Sequence, residues 1–338
     1  MRLRSDLTLV SYKARMKQHQ QAINLVIKNL RKLVQGDKLA ICCSGGADSM
    51  ALLFCAQKIF DNLLVLHVQH DMRPIEQASA DARLVATYCE ANNLEFKLLH
   101  ANLRNKGQNL GEQQYRQERY QQITQECRAQ GYDCAATAHH ADDQLETLIM
   151  KVCRGSGMRG LSGIAESVTK NKINFVRPLL HIDKTDVYEI CAQKQLPYNE
   201  DATNTDNTYL RNKVRHQVVP LLREINSQVA KNANKIAKTS SDAQNLIEQQ
   251  CRLLEQFEID STTIKLDALR LSNDAVIYEY IRLKMKLLCP HFEFDKLNQS
   301  QIEKIIGCIR KKGRSCLVLQ DGISIQIDRN TCKFTKSK

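Results

Sequence analysis

The chain has 338 residues, 43% hydrophobic and 25% charged, with a net charge of +12. That composition is globular, and the length predicts two compact units. No apolar run reaches the roughly 18 residues of a membrane span, which excludes a helical membrane protein, and the basic amino end lacks the apolar stretch of a secretory signal.

An apolar stripe at Ile23, Val26, Ile27, Leu30, Leu33 and Val34 predicts a helix, stopped by Gln35-Gly36-Asp37. Buried-strand runs follow at Lys38–Cys43, Asn62–Val68, Leu94–Leu99 and Asp133–Thr137. Helical stretches separate them at Ser49–Ile59, Ala78–Asn92 and Glu112–Gln130. Such alternation predicts an α/β fold: a parallel-sheet, Rossmann-like nucleotide-binding domain, assigned to residues 1–222. Ligands of such sheets bind at the carboxyl ends of the strands. From 223 to 338 the pattern is mainly helical and predicts a smaller accessory domain. It ends in a short β-hairpin around Asp321-Gly322.

Two segments hold the charge excess. Arg211–Lys238 carries seven basic residues and one acidic, and Ile302–Lys338 carries nine and three, net +6 each. Clustered positive charge suggests a polyanion such as nucleic acid, against the alternative of two solvated basic faces. The 13 cysteines include no C-x-x-C. Free, buried thiols in a reducing, cytoplasmic setting are expected, rather than a zinc or iron–sulfur site.

The strongest motif is Cys43-Ser44-Gly45-Gly46-Ala47-Asp48-Ser49, between a strand and a helix. Gly45 and Gly46 permit a sharp turn that brings backbone N–H groups close to a ligand. Ser44 and Ser49 add hydroxyls, and the helix start near Ser49 favours a phosphate. The loop is neither a Walker A sequence nor G-x-G-x-x-G. The charge of Asp48 makes sense if Mg2+ lies between it and the phosphates. The alternative is an ordinary strand-to-helix turn with a polar cap.

After the fourth strand, His139, Asp143 and Glu146 fall at i, i+4 and i+7 and predict one helical face. Holding a metal, binding a cationic substrate and accepting a proton from an amine are all open to such a cluster. His140 and Asp142 are expected to be structural or capping. The glycine-rich stretch 154–163 carries Arg154 and Arg159, suited to phosphate, or is a plain connector. Glu112, Arg116 and Arg119 share a helical face, equally explained by an ion pair. His67, His70 and Arg73 end the second strand. Arg177 and the 201–208 loop precede Arg211 and Arg215, whose spacing predicts a two-pronged basic face for phosphate.

The Ser44–Ser49 stretch resembles the pyrophosphate loop of the N-type ATP pyrophosphatases. Taken with His67–Arg73, Glu112–Tyr120, Thr137–Glu146, Arg154–Leu161, Arg177–Leu180 and Asp201–Arg215, the chain resembles the tRNA(Ile)-lysidine synthetases over residues 38 to 222. The last 115 or so residues match weakly, as an accessory tRNA-binding domain, and a further domain of longer members is expected to be missing. Gln69 and Gly111 stand where other residue types are commoner in that family. The resemblance implies a ligase that uses ATP to adenylate the C2 oxygen of the wobble cytidine in the CAU anticodon of isoleucine tRNA, releasing pyrophosphate. Free L-lysine then displaces AMP. It implies ATP and Mg2+ as cofactors, with Ser44, Gly45, Gly46, Asp48 and Ser49 around the pyrophosphate and Asp48 on the metal. It further implies catalytic work for Asp48, His139, Asp143 and Glu146. RNA contacts fall to Arg116, Arg119, Arg154, Arg159, Arg211 and Arg215. No membrane is involved, and a homodimer is left open. Three rivals stand beside it: a tRNA thiolase, a small-molecule amidotransferase or synthetase of the same fold, and an RNA-binding protein with a decayed nucleotide site.

Overall fold

The computed structural model describes residues 20–70, 75–101, 112–199, 210–290, 299–311, 313–319 and 322–336. Two compact units divide the chain between Lys238 and Thr239.

In the first unit, helix α1 (residues 20–33) lays Ile23, Val26 and Leu30 into a core shared with Leu39 and Ile41. The α/β alternation follows: β1 (Lys38–Cys42), α2 (Ala47–Ala56), β2 (Asn62–His70), α3 (Ile75–Ala91), β3 (Glu95–Ala101), α4 (Glu112–Ala129), β4 (Cys134–Ala136) and α5 (Ala141–Cys153). A short α6 (Met158–Leu161), the hairpin β5 (Ser167–Lys170) and β6 (Ile173–Val176), and α7 (Lys184–Lys194) come next. The unit closes through α8 (Leu210–Lys213), α9 (Val219–Ile225) and the start of α10 (Val229–Leu253).

The sheet order is β3-β2-β1-β4-β6-β5. All neighbours run parallel except β5, which is antiparallel to β6. Successive residues of a strand face opposite sides, and here both sides are dry. Leu39, Ile41, Leu63 and Val65 enter one core, while Ala40, Leu64 and Leu66 meet Tyr120, Ile123 and Phe175 in the other. Burial on both faces is why these strands read as unbroken apolar runs. The chain winds outward from β1 to β2 and β3, then returns to β4 on the other flank of β1. The strand order therefore reverses between β1 and β4, which makes their carboxyl ends the switch point where such sheets hold ligands.

A third cluster joins Ala141, Leu145 and Leu148 of α5 to Val214, Val219 and the small residues Ala230, Ala233 and Ala237. This packing carries the first unit past residue 222 to Lys238. Pro220 stands in the first turn of α9 and cannot continue the normal hydrogen-bond ladder. The backbone answers with a π-helical turn over Val214–Val218, closed by Val219 N–H donating to the Val214 carbonyl.

The second unit combines α11 (Leu266–Leu271), α12 (Asp274–Leu288) and α13 (Gln299–Arg310) with a sheet. That sheet is ordered β7 (Glu258–Asp260), β8 (Thr263–Lys265), β11 (Thr331–Lys336), β10 (Ile323–Ile327) and β9 (Ser315–Val318). The expected hairpin is present as β9 and β10, with Gln326 opposite Cys316; Asp321 of its turn lies outside the described residues. It belongs to a larger antiparallel sheet, because β11 buries Cys332 and Phe334 beside Ile323, Ile325 and Ile327. Among the described residues, no helix is long and apolar enough to cross a membrane.

Phe175 is fully buried and meets Tyr120 edge-on at 4.8 Å. Phe175→Ala is expected to lower the unfolding free energy by about 3–5 kcal/mol, read from urea titration of the full chain.

Candidate active site

Beyond β1 the chain turns through Cys43-Ser44-Gly45-Gly46 into α2, which starts at Ala47, two residues before the predicted Ser49. Gly45 sits at φ +86°, and a Cβ there would stand 3.3 Å from the Asp81 carbonyl oxygen. Both the left-handed backbone and the close approach require glycine. Buried Ser49 laces the loop. Its hydroxyl accepts from the Ser44 N–H at 3.1 Å, lies 3.2 Å from Ser44 Oγ and donates to the Gly46 carbonyl at 2.9 Å. No side chain caps α2 at Gly46. The first N–H groups of α2 therefore keep the capacity to meet an anion. Beneath the loop, His67 Nδ1 lies 2.9 Å from the Cys43 carbonyl oxygen.

β4 ends beside this loop, through its pairing with β1. Thr137 Oγ1 is 3.0 Å from His139 Nδ1. His140 is the N-cap of α5: its Nδ1 lies 3.2 Å from the Asp142 backbone nitrogen, and its backbone N–H donates to Asp143 Oδ2 at 2.9 Å. This cap starts the helix at Ala141. His139 therefore precedes the cap and does not share a helical face with Asp143 and Glu146, as its spacing had predicted. It reaches the same place by another route. A cavity of about 290 Å³ at the switch point is lined by Ser44, Asp48, His139 and Asp143. Glu146 lies one helical turn further on and is not in its wall.

The adjacent histidines are electrostatic opposites. Burial drives the pKa of His139 down to about 3, only partly opposed by Asp143, so its ring is neutral. Burial pushes His140 the same way, but Asp143 and Asp48 outweigh it and raise its pKa to about 9. Its imidazolium lies 3.5 Å from Asp48 Oδ2 and 3.6 Å from Asp143 Oδ2. His140 thus both caps α5, as expected, and ties the loop to α5. A His-His doublet gives no sequence signal for that second role. Burial alone would raise Asp143, yet His140 and Arg211 hold it well below the usual carboxylate range.

The arginines expected to form a free phosphate fork are engaged elsewhere. Arg211 donates to Glu146 Oε2 and Asp143 Oδ1, both at 2.8 Å. Arg215 donates to Glu146 Oε1 at 2.6 Å and to Asp143 Oδ1 at 3.3 Å. Glu146 is 1% exposed, and a carboxylate so buried requires cationic partners to stay ionised. The pairs also alter the expected role of the carboxylates. With their oxygens taken and Asp143 held strongly acidic, neither is arranged as a base for an amine. Asp142, one residue along, pairs with Arg223 at 2.6 Å.

The remaining expected residues separate. Arg119 lines the cavity, while Arg116 lies over the outer side of Tyr120, 5.8 Å from the ring centroid. Arg154 is the C-cap of α5 and Arg159 lies in α6, both exposed. The glycine-rich stretch is tethered by Gln144, whose amide spans the N–H and carbonyl of Ile164 at 2.6 and 3.1 Å. Arg177 is buried and donates to the Ala165 carbonyl at 2.7 Å. Arg73, Gly111, the 201–208 loop and the side chains of His70 and Glu112 lie outside the described residues.

Asp48 Oδ1 is buried with no hydrogen-bond partner. Among the described residues no group of three or more His, Cys, Asp or Glu gathers into a metal cage. Mg2+ commonly takes only one or two carboxylates together with substrate phosphates. A single buried oxygen beside a phosphate loop fits that ion. Cys42 and Cys43 stand in the cavity wall, where burial pushes both thiols up, away from the reactive thiolate.

A family model described as the PP-loop domain matches residues 16–222. A tRNA(Ile)-lysidine synthase from Petrotoga mobilis is 32% identical over 300 residues, which cover 83% of this chain and 92% of that protein. The chain belongs to the tRNA(Ile)-lysidine synthase family of PP-loop proteins. An Enterococcus faecalis tRNA(Ile)-lysidine synthase is 32% identical over 292 residues, covering 83% of this chain and 63% of its own length. One from Caldanaerobacter subterraneus is 28% identical over 307 residues, covering 86% and 64%. The chain thus spans a little under two thirds of those two proteins. In fold it is similar to the U34-tRNA thiolase NcsA of Methanococcus maripaludis, with TM-score 0.53 and 19% identity over 65% of this chain and 79% of that one.

Arg215→Met leaves Glu146 short of a partner and is expected to cost about 3–5 kcal/mol in urea unfolding, partly restored by adding Glu146→Gln. A second test uses pH. The folded-state pKa of His140, about 9, lies above its ordinary 6.5. Its contribution is therefore complete below pH 6.5 and is lost as pH rises through 9. The wild type should lose on the order of 3 kcal/mol more than His140→Gln between pH 6.5 and 9.5 in urea titrations.

Proposed function

We propose that this chain is a tRNA(Ile)-lysidine synthase. It adenylates the C2 oxygen of the wobble cytidine in the CAU anticodon of isoleucine tRNA with ATP, releasing pyrophosphate, and the amine of lysine then attacks C2 and displaces AMP. The observation that carries this reading is the meeting of the Ser44–Ser49 loop with His139, His140 and Asp143 at one switch point, joined by the His140 bridge from Asp48 to Asp143.

In this reading the hydroxyls of Ser44 and Ser49 and the first N–H groups of α2 hold the leaving pyrophosphate. Gly45 and Gly46 keep the backbone close enough for that contact. Asp48 would hold Mg2+ through its unpartnered oxygen, and the ion would supply charge neutralisation on the phosphates. His140 holds the other oxygen of Asp48 in place. Fixed donors aimed at developing negative charge are an effective form of catalysis because they need no reorganisation during reaction. His139, neutral at physiological pH, and Tyr120 offer the cavity wall two flat faces for a base, and an anticodon base is in a loop and splays out at low cost. Asp143 and Glu146 serve as positioning residues that hold Arg211 and Arg215 at the carboxyl edge of the sheet. In the same reading, exposed Arg154 and Arg159 meet RNA phosphates.

The test is direct. The chain is incubated with ATP, Mg2+, labelled lysine and isoleucine tRNA bearing CAU. Label is expected in the RNA, with pyrophosphate release dependent on RNA. Release without RNA, or no label in the RNA, overturns the reading. Asp48→Ala is expected to abolish pyrophosphate release while tRNA retention on a filter survives; joint loss of both would contradict the role given to Asp48.

A further inference from the structure

A second concavity, a groove of about 600 Å³, runs along the outer face of α4 to the turn between β5 and β6. Arg116 and Arg128 of α4 and Lys170 of β5 line it with three cations, and Gln117, Gln121 and Gln125 add amides. Their four-residue spacing stacks these amides in one row along the helix. None of the three cations pairs with a carboxylate among the described residues. The acids Glu118 and Glu126 of α4 are turned to the neighbouring face, where they accept from Gln122 and Gln130 at 2.9 and 3.0 Å. Tyr120 forms the floor. Its ring centroid lies 4.3 Å from Lys170 Nζ and 5.8 Å from the Arg116 guanidinium, and the same residue lines the cavity at the switch point.

The far end of the groove is the two-residue turn of the β5–β6 hairpin. Asn171 and Lys172 take the left-handed backbone that such a turn requires, φ 48° and 67°. The Asn171 carbonyl accepts from Arg128.

We infer that this groove docks the sugar-phosphate backbone of the substrate tRNA, outside the nucleotide that reacts; the inference rests on the proposed function. From Arg116 to Arg128 the helix rises about 18 Å, enough to follow several successive phosphates. Cations meet phosphate, and amides both donate to phosphate and pair with 2′-hydroxyls. A protein partner would need a more apolar centre, and among the described residues that line the groove Tyr120 alone is aromatic and none is aliphatic. Through Tyr120 the groove adjoins the cavity, so a strand with one base in the cavity has its continuation laid along α4.

The test compares the full-length wild type with Arg128→Ala/Lys170→Ala and, as a variant confined to exposed positions, Gln121→Glu/Gln125→Glu. An isoleucine tRNA transcript bearing CAU and a polyglutamate peptide serve as probes over a salt series. Both variants should bind the transcript roughly tenfold more weakly at physiological salt. The arginine–lysine variant should also flatten the slope of log affinity against log salt by about 1.5. Unchanged affinity and slope in both variants overturns the groove, as does a loss confined to polyglutamate or a wild type that fails to retain the transcript. A wild type that transfers lysine while the variants bind tRNA unchanged sinks the groove alone. A wild type that binds RNA through the groove but transfers no lysine sinks the proposed function alone.

Discussion

The buried carboxylates of Asp143 and Glu146 are met by Arg211, Arg215 and His140, and much of the first unit follows from that pairing. Isolated buried carboxylates carry a large desolvation cost, whereas here two guanidiniums and one imidazolium surround them. The arginines come from a segment more than sixty residues later in the chain. Meeting that demand folds α8 and the π-helical turn onto α5, and α10 then packs its alanines against the same helix. The charge cluster and the apolar cluster beneath it act in one direction, both holding the 210–237 segment against α5.

The same cluster sets the character of the site. His140 lies between Asp143 and Asp48 and remains charged, while His139, next in the chain and bonded to Thr137, is neutral. Two neighbouring residues of one type are thereby given different functions by environment alone. The loop after β1 depends on this bridge from one side and on Ser49 from the other. A phosphate cradle whose donors are already fixed has little reorganisation left to make when the anion arrives.

The alternation of buried runs and helical stretches was legible because strands covered on both faces must be continuously apolar, and Gly45 was legible because few other residues tolerate its backbone. The pairing of Arg211 and Arg215 with carboxylates was not. Their spacing on one helical face is equally suited to phosphate and to acids, and only tertiary placement decides. His139 stands before the cap of α5, so the helical period that links it to Asp143 and Glu146 in the sequence does not carry through in space. In the second unit β7 and β8 are three residues each, too short for a period of two to declare itself. β11 was missed because Thr331, Lys333 and Thr335 dilute the apolar signal of Cys332 and Phe334.

Charge reads differently in sequence and in space. The stretch Arg211–Lys238 is strongly basic on paper, yet Arg211, Arg215, Arg223 and Lys231 all lie against carboxylates of the same unit. Much of its apparent attraction for a polyanion is therefore answered internally. Helix α4 shows the reverse. Glu112–Ala129 holds three arginines and three glutamates and is neutral as a string. The helical period puts Arg116 and Arg128 on the groove side, with the amide row between them, and turns Glu118 and Glu126 to the next face. A polyanion responds to the local field within about one Debye length, roughly 8 Å, and not to the sum along the chain. By that measure a balanced helix with segregated faces is the better candidate surface than a basic segment whose charges are already paired.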